Sequence, residues 1–305
     1  MKETILLLGG NGFLGKTFIS YYCSRNLTNI FDLVVIDQNF SSKIYDKVSY
    51  NCFDVLNLQF LEEFLIKLRP NYIVNCVGLL HGNDSNQFIQ FNALFPKSLL
   101  DIIISNNLSV NKIVLVGSAA EYGANSTLPL TENDTLIPIN YYGLSKVLQA
   151  QIFNFYHVNH GLKLNLARVF NVIGHDMSYS FSIGSFISQI KNADKDGIIK
   201  VGNLETERDY LYIEDVIRAL LDIMIKGKDG EIYNVCSGIP TSMEIILKSL
   251  IDVSGKKLII ESDPALFKLG DIPISYGSSE KLKDQTGWAP LFNLNDAFKK
   301  LIYEI

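Results

Sequence analysis

The sequence has 305 residues, a formal net charge of −5 and 48% hydrophobic residues. Such a chain can bury a large core, and a mild acidic excess without long basic runs argues against nucleic acid or an anionic membrane surface as a partner. The four cysteines are far apart and form no Cys-x-x-Cys motif, which predicts reduced thiols and no metal site. With no targeting signal and an opening apolar run too short to span a membrane, we expect a cytoplasmic protein.

Apolar runs of strand length alternate with longer amphipathic stretches through roughly the first 170 residues. The predicted strands read TILLLGG, DLVVID, VSYNCFDV, YIVNCVG, KIVLVGS and KLNLARVFN, and the predicted helices cover 16–24, 58–68, 91–106 and 142–158. Continuous apolar runs separated by helices are typical of strands buried on both faces. The pattern predicts an α/β protein with a doubly wound parallel sheet of the Rossmann type.

The regularity weakens beyond residue 170. Helices are predicted at 185–193, 213–226 and 243–255, with strands at GIIKVG, EIYNVCS and KLIIES. No internal repeat or flexible linker separates this part from the first. We predict a Rossmann domain over 1–170, sharing elements near 208–236, and a smaller C-terminal α/β lobe over 171–305.

The segment LLLGGNGFLGKTF follows the first strand and opens a helix. Gly9, Gly12 and Gly15 form a G-x-x-G-x-x-G arrangement, with Phe13 and Leu14 inside it. Such a turn lets the backbone approach a pyrophosphate, and a helix N-terminus binds anions. We therefore predict that these five residues bind a dinucleotide.

Carboxylates end the next two strands. Asp37, 22 residues after Gly15, can accept hydrogen bonds from an adenine-ribose diol and would repel a 2′-phosphate. We expect NAD as the cofactor, with NADP left possible by the nearby Lys43. Asp54, followed by Val55, could contact the adenine amine together with its neighbour or could cap the following helix, and both readings remain open.

The segment YYGLSK contains a possible acid–base group. A helix turns by roughly 100° per residue, so Tyr142 and Lys146 share a face, whereas Tyr141 lies elsewhere around the axis. A phenol with a pKa of about 10 is a poor acid–base group near neutrality, and an ammonium one turn away favours phenolate. We predict Tyr142 as the acid–base group, Lys146 as its ammonium and Tyr141 as a packing residue.

Ser118 ends the strand KIVLVGS, 24 residues before Tyr142. At this point the chain resembles the extended short-chain dehydrogenase/reductase superfamily and its NAD-dependent epimerase/dehydratase family, which carry the glycine turn, a Ser or Thr here and Tyr-x-x-x-Lys. ARVFNVIG, ERDYLYIEDVIRA, EIYNVCSG and TGWAP look like later landmarks of the family. The resemblance implies that Ser118, Tyr142 and Lys146 are catalytic, that Ser118 binds the reacting oxygen, and that Tyr142 and Lys146 also contact the cofactor.

The residues after Ser118 narrow the reaction. Sugar-nucleotide 4,6-dehydratases resemble this chain but carry an acid–base pair, typically Asp-Glu, where this sequence has Ala119 and Ala120. Alanine cannot transfer protons, so we expect no dehydration. Glu121 stands one place later, where the family usually has an apolar residue, and we expect a structural or rim role for it.

The later landmarks resemble those of enzymes acting on nucleoside-diphosphate sugars. Asn171 and Arg208 match positions that commonly contact the diphosphate, although Arg208 could instead form a surface pair with Glu205 or Glu207. The chain looks most like reductases of the 4-keto group of GDP- or dTDP-4-keto-6-deoxyhexoses. The resemblance implies an NAD(P)-dependent oxidoreductase acting at C4, with a 4-epimerase as the alternative.

The helix predicted at 142–158 carries an apolar stripe, formed by Leu144, Val147, Leu148, Ile152 and Phe155. This is more apolar surface than one core contact needs. Members of the family commonly pair this helix and the one near 91–106 in a four-helix interface. We therefore expect a homodimer.

Overall fold

The computed structural model describes residues 2–40, 43–82, 84–267 and 271–303. The strands are β1 (Glu3–Leu8), β2 (Phe31–Asp37), β3 (Val48–Cys52), β4 (Tyr72–Asn75), β5 (Lys112–Ser118), β6 (Leu164–Val169), β7 (Asn171–Ile173), β8 (Ile198–Val201), β9 (Glu207–Tyr212), β10 (Ile232–Val235), β11 (Pro240–Ser242), β12 (Ile259–Ser262) and β13 (Ile274–Ser275). The helices are α1 (Phe13–Ser24), α2 (Leu58–Leu68), α3 (Ser85–Ile89), α4 (Phe95–Ser105), α5 (Tyr141–His160), α6 (Ser182–Asn192), α7 (Ile213–Lys226), α8 (Met243–Ser254), α9 (Glu280–Thr286) and α10 (Leu294–Tyr303).

Seven parallel strands form the central sheet, in the order β10-β6-β5-β4-β1-β2-β3. The apolar run of β1 buries side chains on both faces of this sheet. Ile5 and Leu7 pack with residues of α1 and α7, whereas Leu6 and Leu8 pack with residues of α4 and α5. The predicted doubly wound parallel sheet is confirmed.

The C-terminal part adds two small sheets. One contains β11, β9 and β13 with β7 beside β9, and the other pairs β12 with β8. A separate apolar cluster fills this part, with members from α6, α8 and α10. The strand β10 lies in the central sheet next to β6, so the chain returns to that sheet after residue 170. The division into domains at residue 170 remains a prediction.

The helix bounds agree with the sequence pattern where that pattern is strongest. α2 and α7 have the predicted limits, and α9 ends at Gly287, where φ is +77° and Trp288 packs behind it with 1% of its surface exposed. The helix predicted at 91–106 differs, because a π-helical turn, Gln90–Leu94, precedes α4. β7, β11 and β13 were not predicted, since two or three residues are too short for a period to show.

One helical stretch among the described residues, Ser85–Ser105, is long and apolar enough to cross a membrane by length and composition alone. Half of its most apolar part is buried within the protein, and Phe95, Leu99 and Leu100 belong to the core on one face of the central sheet. A core helix passes the same test. The stretch is therefore weak evidence for a membrane span.

Candidate functional site

The predicted glycine turn lies at the carboxyl end of β1, where the chain enters α1. The Gly9 N–H donates to the Ile36 carbonyl at 2.9 Å, and Gly9 has a φ of +83°, which glycine adopts without strain. A Cβ at Gly15 would lie 2.1 Å from the Gly9 carbonyl oxygen, so the helix packs too closely for any larger residue. Gly12 is the N-cap of α1 and has no side chain that could accept a hydrogen bond from the first turn. The N–H groups of Phe13 and Leu14 are therefore suited to donate to a phosphate.

Asp37 lies beside this turn at the end of β2. Its Oδ2 accepts the Asn11 N–H at 2.8 Å, and its Oδ1 accepts the Asn39 N–H at 3.1 Å. The carboxylate therefore joins the glycine turn to the loop after β2. Lys43, which kept NADP possible, has its Nζ 5.0 Å from the centre of the Tyr45 ring.

Asp54 and Val55 follow β3. Asp54 is exposed, and its Oδ1 accepts the Leu56 N–H at 2.9 Å. The N-cap of α2 is Asn57, whose Oδ1 accepts the Phe60 N–H at 3.3 Å, so the reading of Asp54 as the helix cap is wrong. Val55 is buried in the core. Contact of these residues with adenine stays a prediction.

Ser118 ends β5 and begins a short 3-10 turn, Ala119–Glu121. Its Oγ accepts the Ala120 N–H at 3.1 Å, while its own N–H donates to Oε1 of Glu121 at 2.8 Å. This reciprocal capping box fixes the backbone of the strand end. The hydroxyl therefore occupies a defined place at the carboxyl edge of the sheet.

Tyr142 meets Ser118 because α5 begins close to this turn. A Cβ at Gly143 would lie 2.5 Å from the Ala120 carbonyl oxygen, so glycine permits the close approach. The Ser118 hydroxyl lies near enough to the Tyr142 phenol to lower its pKa as a hydrogen-bonding neighbour. Tyr141 is 61% exposed, and the prediction that it packs beside the site is wrong. The geometry thus joins Ser118 to Tyr142 and leaves Tyr141 outside.

Lys146 shares a helix face with Tyr142 but reaches toward the sheet. Its Nζ donates to the Val116 carbonyl at 2.7 Å and to Oε1 of Gln149 at 3.2 Å, and the residue is 4% exposed. Burial lowers the Lys146 pKa to about 8, against the opposing charge of Glu121. The Lys146 amine is therefore buried against the end of β5.

The expected lowering of the Tyr142 pKa by Lys146 is not found. Burial raises the Tyr142 pKa to about 12, the hydrogen bond with Ser118 offsets part of this rise, and the charge of Glu121 adds to it. The helical spacing was read correctly. The lysine amine donates to the Val116 carbonyl, a contact that a helical period does not reveal.

Glu121 is fully buried, so a rim role is excluded. Its Oε2 accepts a hydrogen bond from Nε of Arg168 at 2.8 Å, and Arg168 is itself only 2% exposed. Burial raises the Glu121 pKa, while the Arg168 guanidinium and the Ser118 N–H lower it. Sequence reasoning missed Arg168, although a charged residue inside the buried strand KLNLARVFN is a signal that a partner charge lies opposite.

The predicted substrate residues lie on neighbouring strands. The Val169 end of β6 pairs with Ser118, and the chain continues directly to Asn171 on β7, whose Nδ2 donates to the Asp209 carbonyl at 2.9 Å. Arg208, on the adjacent β9, donates through Nη2 to Oδ1 of Asp271 at 3.1 Å. The alternative pairing with the Glu205 or Glu207 carboxylate is wrong.

A metal site is not evident in the part of the chain that the structure describes, since no group of three or more His, Cys, Asp or Glu residues there could hold an ion. The four cysteines are free thiols: Cys23, Cys52, Cys76 and Cys236.

Comparison with known proteins finds relatives that match nearly the whole chain. GDP-6-deoxy-D-talose 4-dehydrogenase of Aggregatibacter actinomycetemcomitans is 27% identical over 285 residues, 93% of this chain and 91% of that protein. GDP-6-deoxy-D-mannose reductase of Pseudomonas aeruginosa is 26% identical over 312 residues, 99% and 97% of the two chains. Other relatives of similar identity are named UDP-glucose 4-epimerase.

The fold and the family follow from two further matches. A solved structure of RMD from Pseudomonas aeruginosa complexed with NADPH superposes with a TM-score of 0.82 at 24% identity, over 99% of this chain and 98% of that one. Residues 5–236 match the family described as the NAD dependent epimerase/dehydratase family. The matched range includes the glycine turn, Ser118, Tyr142 and β10. The chain belongs to the NAD dependent epimerase/dehydratase family.

Proposed function

We propose that the protein is an NAD(P)-dependent oxidoreductase acting at C4 of a nucleoside-diphosphate 6-deoxyhexose. The observation that carries the proposal is the closeness of Ser118, at the end of β5, to Tyr142, in the first turn of α5, together with alanines after Ser118 where a dehydratase needs its acid and base. The names of the two relatives with GDP-6-deoxyhexose substrates support the substrate class.

The protein groups suit a dinucleotide. The narrow glycine turn at Gly9 and Gly15, the uncapped start of α1 and the Asp37 carboxylate would hold the pyrophosphate and the adenine ribose. Lys146 would hold the nicotinamide ribose. The bound nicotinamide supplies or accepts the hydride at the sugar carbon. We propose NAD as the preferred form because the carboxylate of Asp37 opposes a 2′-phosphate.

The Tyr142 phenol would transfer the proton that matches this hydride. With its pKa raised to about 12, the phenol is protonated near neutral pH and suits the role of proton donor to the C4 oxygen in reduction. Ser118 would donate a hydrogen bond to the same oxygen and fix its position. In sugar oxidation the phenol must first lose its proton, so the rate in that direction should rise with pH.

Arg208 and Asn171 would bind the diphosphate. A guanidinium presents a charged donor fork that fits phosphate oxygens. Because the Arg208 side chain already binds Asp271, the diphosphate would have to replace that carboxylate. We infer that sugar nucleotide binding moves Asp271 or exchanges its partner.

A 4-epimerase is the second candidate, favoured by the relatives named UDP-glucose 4-epimerase. It would use Ser118, Tyr142 and Lys146 in the same places while retaining its cofactor. The two reactions differ in whether free cofactor is consumed.

We also propose a homodimer through α4 and α5. Leu144, Leu148, Phe155 and Val158 of α5 are exposed, while Phe153 faces the core. A contiguous apolar stripe of this kind is typical of an interface. We also propose a cytoplasmic location, because the four cysteines are free thiols and disulfides are rare in the cytoplasm.

A labelled cofactor tests the reaction. A 4-keto-6-deoxyhexose nucleotide is supplied with NADH deuterated at the transferable hydrogen, and cofactor consumption and product mass are followed. A reductase consumes cofactor in proportion to product and places deuterium at C4. If the cofactor is neither consumed nor produced with any 6-deoxyhexose nucleotide in either direction, and C4 stereoisomers interconvert, the epimerase replaces the oxidoreductase.

A further inference from the structure

A buried carboxylate next to the Ser118–Tyr142 pair has no part in the reaction described above. Glu121 is fully buried, and its two oxygens have different partners. Oε1 accepts the Ser118 N–H at 2.8 Å, and Oε2 accepts Nε of Arg168 at 2.8 Å. One oxygen is therefore committed to the backbone of the residue whose hydroxyl meets Tyr142.

A hydrogen-bonded network holds the other side of Glu121 in place. The Arg168 guanidinium also donates to the Tyr122 hydroxyl at 2.8 Å, and that hydroxyl donates to Oδ1 of Asn234 at 2.7 Å. All four of these side chains are at most 2% exposed. The carboxylate cannot turn away from Ser118 without breaking this network.

A buried ion pair is a weak reason for stability by itself. Apolar residues of similar volume often replace such a pair without loss, because removing two charges from water offsets their attraction. An apolar residue could not replace the contact with Ser118, because the Ser118 N–H needs a hydrogen-bond acceptor. The carboxylate thus has a specific use at the site.

The charge of Glu121 also reaches the two other groups of the site. The Lys146 amine donates to the Val116 carbonyl and Glu121 accepts the Ser118 N–H, so both side chains reach the same end of β5. Burial has the largest influence on both neighbours, raising the Tyr142 pKa and lowering the Lys146 pKa, and the charge of Glu121 acts upward on both.

Arg168, the counter-charge of Glu121, binds the oxygen that does not contact Ser118. Although burial raises the Glu121 pKa, both of its oxygens accept hydrogen bonds, one of them from a guanidinium, which is the arrangement of an ionised carboxylate. A negative charge held here favours the protonated forms of Tyr142 and Lys146.

We propose that Glu121 is a positioning residue: its carboxylate fixes the Ser118 backbone, and hence the Ser118 hydroxyl, and places a fixed negative charge beside Tyr142 and Lys146. The catalytic part of this inference rests on the proposed function. The electrostatic part does not, because it concerns the state of Lys146 in the free protein.

The test uses Glu121→Gln, which keeps the shape and one oxygen acceptor but removes the charge. Two quantities are measured: kcat and KM with the sugar nucleotide, and the titration midpoint of Lys146 by carbon-13 NMR of labelled lysine, assigned with Lys146→Arg. We expect kcat to fall on the order of 10-fold to 100-fold, with KM little changed. The Lys146 midpoint should move to lower pH, by about one pH unit, because the negative charge that favours the ammonium is gone.

Asp215→Asn is the matched control. Asp215 is also fully buried and paired with an arginine, Arg218, at 2.7 Å, but it lies in the first turn of α7. Its loss should lower the melting temperature without moving kcat or the Lys146 midpoint. If Glu121→Gln fails to fold, Glu121→Leu combined with Arg168→Met removes both charges, and it should fold while kcat stays low.

Two results would overturn the proposal. One is a folded Glu121→Gln protein with an unchanged Lys146 midpoint and unchanged kcat. The other is a fall in kcat that Asp215→Asn reproduces while the Lys146 midpoint stays constant, which marks a merely structural effect. If the wild type turns over no 6-deoxyhexose nucleotide, the proposed function fails, whereas the Lys146 midpoint still decides the role of Glu121.

Discussion

The cofactor side and the substrate side of the site are built in different ways. On the cofactor side, the predicted residues follow β1, β2 and β3, and Asp37 hydrogen-bonds the glycine turn itself. On the substrate side, Arg208 binds a carboxylate 63 residues further along the chain. Under the proposed function, the first side is organised before its ligand arrives, whereas the second would have to exchange an ion pair. Part of the binding energy of the sugar nucleotide would then be used in that exchange.

The largest effect should come from the reaction centre between the two sides. Tyr142→Phe removes the proton donor and should lower kcat by about 10²-fold or more, while NADH and sugar nucleotide binding stay unchanged. Steady-state kinetics and NADH fluorescence titration measure this. Tyr141→Phe is the matched control and should have little effect, since Tyr141 is 61% exposed. Equal losses in the two variants would contradict the assignment of Tyr142.

The substrate side can be tested with both partners of its ion pair. Arg208→Met should raise KM for the sugar nucleotide by about 10-fold to 100-fold, since a charged hydrogen bond contributes about 1.5–3 kcal/mol. Asp271→Asn should instead lower KM, because it removes the competitor of the diphosphate. Neither should change NADH binding. If Asp271→Asn raises KM as much as Arg208→Met does, the ion pair has a structural role, and the diphosphate does not replace Asp271 as the partner of Arg208.

On the cofactor side, a smaller effect is expected from Asp37. Asp37→Ala should shift the ratio of NADPH to NADH affinity toward NADPH by about 10-fold, since the repulsion of a 2′-phosphate is lost. Binding of both cofactors is measured by fluorescence. Asp32→Ala, at the exposed opposite end of β2, serves as the control and should leave the ratio unchanged. Tighter binding of NADPH than NADH by the wild type would rule out the preference for NAD.

The outer face of α5 should affect assembly more than chemistry. Leu148→Lys places a charge in the apolar stripe and should convert a dimer to a monomer, with little change in the chemical step. Light scattering at micromolar concentration gives the mass. Leu58→Lys is the control, because Leu58 on α2 is 40% exposed, close to the 36% of Leu148. A wild-type monomer mass would remove the proposed dimer.

The sequence predicted features that depend on local patterns. The central sheet, the bounds of α7 and the end of α9 at Gly287 follow from apolar periods and turn residues. The pairing of Ser118 with Tyr142 was instead implied by the family resemblance.

Features that depend on long side chains or distant partners were not predicted. A helical period places Lys146 beside Tyr142 but does not say that its amine reaches Val116. The ion-pair partners of Glu121 and Arg208 lie 47 and 63 residues away, so no local pattern identifies them. The π-helical turn before α4 likewise departs from the period on which the prediction relied.

The position of β10 has a consequence for any attempt to express part of this protein. β6 lies between β5 and β10, and each of its six residues is buried. A fragment ending near residue 170 would keep every strand from β1 to β6. It would lose β10, so one edge of β6 would have no neighbouring strand. Its open, apolar edge would then offer unpaired N–H and C=O groups to other chains, which is the usual start of intermolecular strand pairing. We therefore expect such a fragment to aggregate when it is expressed without β10.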